Sequence, residues 1–404
     1  MIAGKRSYSR QDKLLPREET LEINREKKSI TIGVPKEISF QENRIPLAPQ
    51  AVGLLVASGN KVIIESNAGK SAFFENEEYA SAGADIVYES SEVYKADIIL
   101  KVAPPTLEEI GMFRQGQTLL SSLHLVGQDK EYFRKLMSKK ITAMAFEFIK
   151  DKAGFFPVLR AMSEIVGTAS VFIASDYLCH PEFGKGKQLG GFPGITPSEV
   201  VIIGAGTVAE YSAHAALGMG ALVKVFDNSL YRLRRLQDNL NQKIFTSIIQ
   251  PRVLLKALQT ADVVIGALHA SEGLAPVVVT EDMVMQMKSG SVILDISIDQ
   301  GGCVETSEIT NHKNPVYKKH GVTHFCVPNI ASRIPNTASY ALNNFFSPIL
   351  LRMGEEGGIV EMLMNDFGLR QGVYIFNGTL TKPYIGNYFD LPYQDIELLM
   401  VALR

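Results

Sequence analysis

Short runs of β-branched and aliphatic residues recur along this chain, separated by segments whose apolar residues fall at helical spacing. The first run is Ile30-Thr31-Ile32-Gly33-Val34, and others follow at 61–65, 85–88, 97–102, 118–123 and 142–146. Strands alternating with helices predict a largely parallel, doubly wound sheet. After Pro35 the segment IGVPKEISFQENRIPLAPQAV turns and enters a helix with Pro49 near its start. Near Ala161 the pattern lengthens into one helical stretch, MSEIVGTASVFIASDYL, and a glycine-rich loop, FGKGKQLGGFPGITPSE, precedes the next strand. Further strands are expected at 200–203, 222–226, 262–267, 291–298 and 322–327, then a long helix over 336–353 and a tail of mixed short elements.

The central stretch carries the most chemistry. Val200-Val201-Ile202-Ile203 runs into Gly204-Ala205-Gly206-Thr207-Val208-Ala209, which fits the G-x-G-x-x-G/A turn of a dinucleotide fold. Gly204 serves the tight bend, Gly206 the approach of a pyrophosphate, and Ala209 the close packing of helix on strand. The second strand ends in Asp227, about 20 residues after the first glycine, placed to accept from a ribose 2′-hydroxyl and to repel a 2′-phosphate. The cofactor expected is therefore NAD rather than NADP. Arg232, Arg234 and Arg235 follow at a spacing that suits a solvated helix face better than a 2′-phosphate site, and Arg232, nearest the acid, is counted with the cofactor side. The fold class expected is α/β, with two doubly wound parallel-sheet domains. A Rossmann domain over 161–334 is inserted into a discontinuous substrate domain (29–160 and 335–404), with the substrate in the cleft between them.

Composition narrows the function. A hydrophobic share of 46%, a charged share of 21% and a net charge of −2 over 404 residues carry no basic excess for nucleic acid. No run approaches the roughly 18 consecutive apolar residues of a membrane span. Residues 1–28 mix both charges without an apolar core, as in a polar extension of a cytoplasmic protein. Cys179, Cys303 and Cys326 have neither the pairing nor the spacing of a disulfide framework or zinc site, and no metal is expected.

Four polar residues fall where strands or loops open toward the expected cleft: Arg44 in QENRIPL, Lys101 at the end of DIILKV, His124 in LLSSLHLV, and Asp299 at the end of SVILDISID before Gln-Gly-Gly. A lysine in an apolar strand is costly unless its charge finds a partner. Taken singly, each residue also fits a core or turn role. Together they supply cations for a carboxylate, an acid/base group near neutral pH and a carboxylate to orient water, the tools for oxidising a small amino acid.

The segments GVPKE with ENRIPL, ILKVAPP, LHL, AMSEIVG, GGFPGITPSEVVIIGAGTV, GMGALV, APVVV, GSVILDISIDQGGCVET, NPVYKKHGVTHFCVPN and IPNTASYAL resemble the alanine dehydrogenases, in that family's order, from about Ile30 to about Leu351. The family also resembles the NAD-binding part of proton-translocating transhydrogenases; IDQGGC and the LHL histidine resemble the alanine dehydrogenase branch. The resemblance implies reversible oxidative deamination of L-alanine to pyruvate and ammonium with NAD. It implies Arg44 and Lys101 on the substrate carboxylate, His124 as general acid/base, and Asp299 on the attacking water. Ser163, Gly204, Gly206, Ala209, Asp227, Arg232 and Asn329 would lie on the cofactor. It also implies a homo-oligomer, often a hexamer, with no membrane or nucleic-acid partner.

The chain departs from that family at Ser122, where a Tyr is usual, at Pro104 for Glu, at Ala331-Ser332-Arg333 for a Pro-small-small run, and at Asn336 for a basic residue. Arg333 is expected to enlarge or recharge the substrate pocket. A related amino-acid or opine-like dehydrogenase, a transhydrogenase-like hydride-transfer subunit and an NAD-responsive binding protein stand as alternatives.

Overall fold

The computed structural model describes residues 29–270 and 274–402, so the expected extension over 1–28 lies outside the described residues. The chain lays down β1 (Thr31–Val34), β2 (Lys61–Glu65), β3 (Asp85–Val87), β4 (Ile98–Leu100), β5 (Thr118–Ser121) and β6 (Thr142–Ala145). It then forms β7 (Glu199–Ile203), β8 (Leu222–Phe226), β9 (Phe245–Ser247), β10 (Val263–Gly266), β11 (Val292–Asp295), β12 (Val316–Lys319) and β13 (Val322–Phe325), and finishes with β14 (Val373–Phe376) and β15 (Thr379–Leu380). One sheet has the order β15-β14-β6-β5-β4-β1-β2-β3, the other β12-β13-β11-β10-β7-β8-β9. The first is parallel from β6 to β3 and antiparallel where β14 and β15 join. The second is parallel except for β12. Both are the α/β sheets that the alternating pattern predicts.

Helices cover both faces, so the central strands read as unbroken apolar runs: Ile32 and Val34 in β1 and Val200 through Ile203 in β7 have no exposed surface. In each sheet the chain reverses its winding direction beside its first strand, between β1 and β4 and between β7 and β10. Ligands of open α/β sheets bind outside the carboxyl ends of the strands at such reversals.

The helix Pro157–Cys179 runs from one core to the other. Val158 packs in the core of the first sheet, while Ala169, Ala174, Tyr177 and Leu178 pack in that of the second. By length and composition alone this helix could cross a membrane. Its Gly167 instead presses on the helix Thr207–Gly218: a Cβ there would lie 2.5 Å from the Val208 carbonyl oxygen. The helix Pro335–Glu355 returns Leu342, Phe346, Leu350 and Met353 to the first core.

Two expectations change. The strand expected over 291–298 stops at Asp295, whose carboxylate accepts from Ser297 N–H and turns the chain into the 3₁₀ segment Ile296–Gln300. Asp299 therefore sits in that turn and not on a strand. The tail read as mixed short elements supplies two strands to the first sheet.

Candidate active site

At the reversal of the second sheet, Gly204 has φ +115°, and a Cβ on it would lie 2.3 Å from the Ala267 carbonyl oxygen. Only glycine fits that bend. Gly206, which precedes the helix Thr207–Gly218 as its N-cap, is different: nothing lies within 4 Å of where its Cβ would stand. The helix start carries no side-chain cap, so its first N–H groups face that open space, as an anionic pyrophosphate requires. Ala209 is wholly buried one turn further on. The buried Asp227 is fastened from both sides, accepting from Ala205 N–H at 2.8 Å and Ser229 N–H at 2.7 Å. Arg232 approaches it at 3.9 Å with an exposed side chain. These residues fit a dinucleotide.

The first sheet contributes a buried pair, the expected Arg44 and an unexpected partner, Glu42. Arg44, in the connection from β1 to the helix Pro49–Ala57, donates through Nε to Glu42 Oε1 at 2.7 Å and through Nη2 to Glu42 Oε2 at 2.6 Å. Its Nη1 reaches Met162 Sδ at 3.6 Å, next to the half-buried Ser163 on the long helix. Glu42 Oε2 also accepts from Asn329 Nδ2 at 3.1 Å, and Asn329 stands in left-handed backbone at φ +55° beyond β13. Burial works to raise the Glu42 pKa, but the Arg44 charge and the bonds from Arg44 and Asn329 prevail and hold it below its usual value.

The Arg44 charge also bears on His124 and Asp299. His124 follows β5 in left-handed backbone at φ +45°, at the head of the 3₁₀ turn Leu125–Gly127, and is exposed. The surrounding protein and then the Arg44 charge push its pKa below the usual histidine value, with Glu42 acting in the opposite sense. Beneath it, Glu147 accepts from Leu123 N–H at 2.7 Å. Asp299 is raised by the protein around it, with the Asn329 backbone and Arg44 working against the rise. Buried Asp295 holds the turn that presents Asp299, accepting from Cys303 N–H, Val304 N–H and Ser307 Oγ as well as from Ser297.

Lys101 makes none of these hydrogen bonds, although its partner Glu37 feels the Glu42 charge. Its ammonium, fully enclosed, meets Glu109 Oε1 at 2.6 Å and Glu37 Oε2 at 3.3 Å. Burial works to lower its pKa, and the two carboxylates overcome that and raise it. Glu109 Oε1 also accepts from Tyr94 Oη, and its Oε2 from Thr106 N–H in the capping box of the helix Leu107–Met112. Glu37 is pushed up to about 7 by burial, against the pull of Lys101 and the Val102 N–H. A carboxylate ligand reaches Lys101 only if Glu37 or Glu109 gives way.

The departures resolve into contacts. Ser122 spends its hydroxyl on the Val102 carbonyl at 2.7 Å. Asn336 donates to the Ala72 carbonyl at 2.9 Å. Arg333, expected to recharge the pocket, is exposed and lays its guanidinium over the Phe325 ring at 5.8 Å. The buried place against Gln41 and Asn43 belongs to Ser332, whose hydroxyl donates to the Gln41 carbonyl at 2.6 Å and accepts from Asn43 N–H at 2.8 Å.

Residues 33–166 match the N-terminal domain of alanine dehydrogenase/PNT, and residues 170–383 match its C-terminal domain. The chain belongs to the alanine dehydrogenase/PNT family. Among alanine dehydrogenases, that of Staphylococcus saprophyticus is 39% identical over 367 residues, covering 91% of this chain and 98% of that protein. That of Bacillus subtilis is 40% identical over 364 residues, covering 90% and 95%. The solved structure of an L-alanine dehydrogenase superposes with a TM-score of 0.84 at 36% identity, over 89% of this chain and 99% of the other. A transhydrogenase from Sinorhizobium meliloti shares the fold at 23% identity, with a TM-score of 0.72. Membership in the alanine dehydrogenase/PNT family implies a nicotinamide cofactor.

Proposed function

We propose that this chain catalyses the reversible oxidative deamination of L-alanine to pyruvate and ammonium, with NAD as the nicotinamide cofactor. The observation that carries the reading is Arg44, buried and fixed by Glu42 with donors to spare, its charge bearing on both His124 and Asp299. A hydride-transfer subunit acting on a second nucleotide needs no acid/base pair beside a carboxylate-binding arginine.

The roles follow from donor inventory. Arg44 has five N–H donors, and Glu42 and Met162 occupy three, which leaves one on each of Nη1 and Nη2. That pair suits a substrate carboxylate end-on. His124, whose lowered pKa favours the neutral ring, takes a proton from the substrate amine and later passes one to the departing group. Asp299 orients the water that adds to the imine carbon. The bound cofactor supplies the hydride acceptor at the substrate α-carbon. Gly206 and the helix start would hold its pyrophosphate, Asp227 its ribose hydroxyls, and Asn329, with Ser163 across from it, would border the nicotinamide. Asp227 favours NAD because its carboxylate would repel a 2′-phosphate. Lys101 would join substrate binding when its carboxylate partners yield. Residues 29–160 and 335–404 form the substrate domain in this reading, and 161–334 the cofactor domain. The long helix leaves Leu159 and Phe172 exposed, with Phe155 and Phe156 just before it, apolar surface that a homo-oligomer would cover.

The test is NADH formation from NAD and a panel of L-amino acids. Turnover with L-alanine is expected; NADH binding without turnover on any amino acid would favour the transhydrogenase-like alternative.

A further inference from the structure

The connection that carries Arg44 is fastened to the loops of the other sheet at every residue from Gln41 to Glu42 and Asn43. Gln41 Oε1 accepts from His312 N–H at 3.1 Å, and its carbonyl accepts from Ser332 Oγ. Asn43 donates from its backbone to Ser332 Oγ and from Nδ2 to the Ser332 carbonyl at 3.2 Å. Glu42 receives Asn329 Nδ2. The next residues continue the seam along the helix Pro335–Glu355, where Ile45 N–H meets Ser339 Oγ and Ala48 N–H meets Asn343 Oδ1, each at 2.9 Å. Within this seam Glu42 is the one group that touches both a proposed substrate residue, Arg44, and a proposed cofactor residue, Asn329.

We propose that Glu42 is a positioning residue that makes substrate recognition depend on the nicotinamide side of the cleft. Its two oxygens take the Nε/Nη2 edge of Arg44, so the guanidinium cannot swing and its remaining edge is held toward the cleft. The second lone pair on Oε2 anchors Asn329, a residue in left-handed backbone that would shift if its amide were released. Movement of the 329–332 loop therefore moves the carboxylate-binding arginine, and the coupling runs equally in the other direction. The charge of Glu42 has a second effect. It opposes the depression of His124 by its surroundings and by Arg44, and so contributes to the pH at which the proposed acid/base group changes state. Its burial explains why its identity matters: in this enclosed position a carboxylate is tolerated only while its partners hold it.

This inference rests on the proposed deamination reading, and the experiment separates the two. Wild-type chain and Glu42→Gln are compared for pyruvate and L-alanine kinetics, NADH affinity by fluorescence titration, and folding by circular dichroism. The amide of Glu42→Gln keeps the shape, but it removes the charge and one of the acceptors. The expected result is a pyruvate KM raised by about tenfold or more. In addition, the acid limb of kcat/KM for alanine should move to lower pH, because the negative charge that favours the imidazolium is gone. A structural role alone would lower the yield of folded enzyme without moving that limb. Unchanged KM and pH profile, or a loss confined to kcat, would overturn the proposal. If Glu42→Gln does not fold, Glu42→Asp keeps the charge but cannot span both partners. It should raise the KM with the limb unmoved, and an unchanged KM overturns the proposal. A wild-type chain that turns over no amino acid instead rejects the functional reading itself.

Discussion

Lys101 and Glu109 meet through a 2.6 Å contact between Nζ and Oε1 where the lysine side chain has no solvent exposure. With Glu37 on its other side, one ammonium serves two buried carboxylates, and removing it would leave both unpaired. Lys101→Ala should lower the stability of the fold by about 3–5 kcal/mol in denaturant unfolding, the usual cost of breaking a buried pair from one side. Adding Glu109→Gln to that variant should restore part of the loss. A Lys101→Ala chain as stable as wild type but inactive would show that the lysine serves the substrate alone.

His124→Ala should remove most turnover with L-alanine while leaving NADH affinity nearly unchanged, since the residue is exposed and hydrogen-bonds to none of the proposed cofactor residues. In the wild-type chain the histidine is depressed, so its neutral, proton-accepting form persists to lower pH than usual. The acid limb of kcat/KM for alanine oxidation should accordingly fall below the ordinary histidine value of about 6.5. Unchanged turnover in the alanine variant would make His124 a structural residue.

The two fingerprint glycines should separate stability from binding. Gly204→Ala forces a Cβ against the Ala267 carbonyl in a backbone conformation that side chains rarely adopt, and should cost on the order of 2–4 kcal/mol. Gly206→Ala meets open space, so thermal unfolding should barely move while NADH affinity falls. Equal losses of stability in the two variants would contradict this division.

Asp227→Ala should raise the KM for NAD and relax discrimination against NADP. Because Asp227 also fastens Ala205 and Ser229, Asp227→Asn is the cleaner comparison, keeping one acceptor for the turn while removing the charge. An unaltered preference for NAD in both variants would mean that another group reads the ribose.

Much of the fold was legible because parallel strands buried on both faces write their burial directly into local sequence. Lys61–Glu65 and Leu222–Phe226 stand with the bounds their apolar runs predict. The strand over 291–298 was overextended because Asp295, one polar residue in an apolar run, ends it through a side-chain bond that periodicity does not register. The candidate site was legible as single residues and illegible as pairs. A glutamate two places before an arginine in QENR reads as a solvated loop, and only the seam to Asn329 and Ser332 explains why Glu42 is buried. The need of Lys101 for a partner was evident from its apolar setting, but Glu37 and Glu109 reach it from separate elements. Arg333 stood out in the sequence as a departure, and its contact with the Phe325 ring is one that no local pattern announces.

The pairing of β6 with β14 has a consequence for how the polypeptide is born. β6 leaves the ribosome with the amino-terminal strands, but its antiparallel neighbour is not made until the chain has grown past Phe376. At about 5–20 residues per second, the interval is roughly ten to forty-five seconds. Throughout it, β6 offers a bare edge to any extended chain nearby, the kind of surface that chaperones shield. The second sheet has no such delay, because every strand it needs has been synthesised by Phe325. A message cut short after that point would therefore be expected to yield a finished second sheet attached to a first sheet left open at its edge.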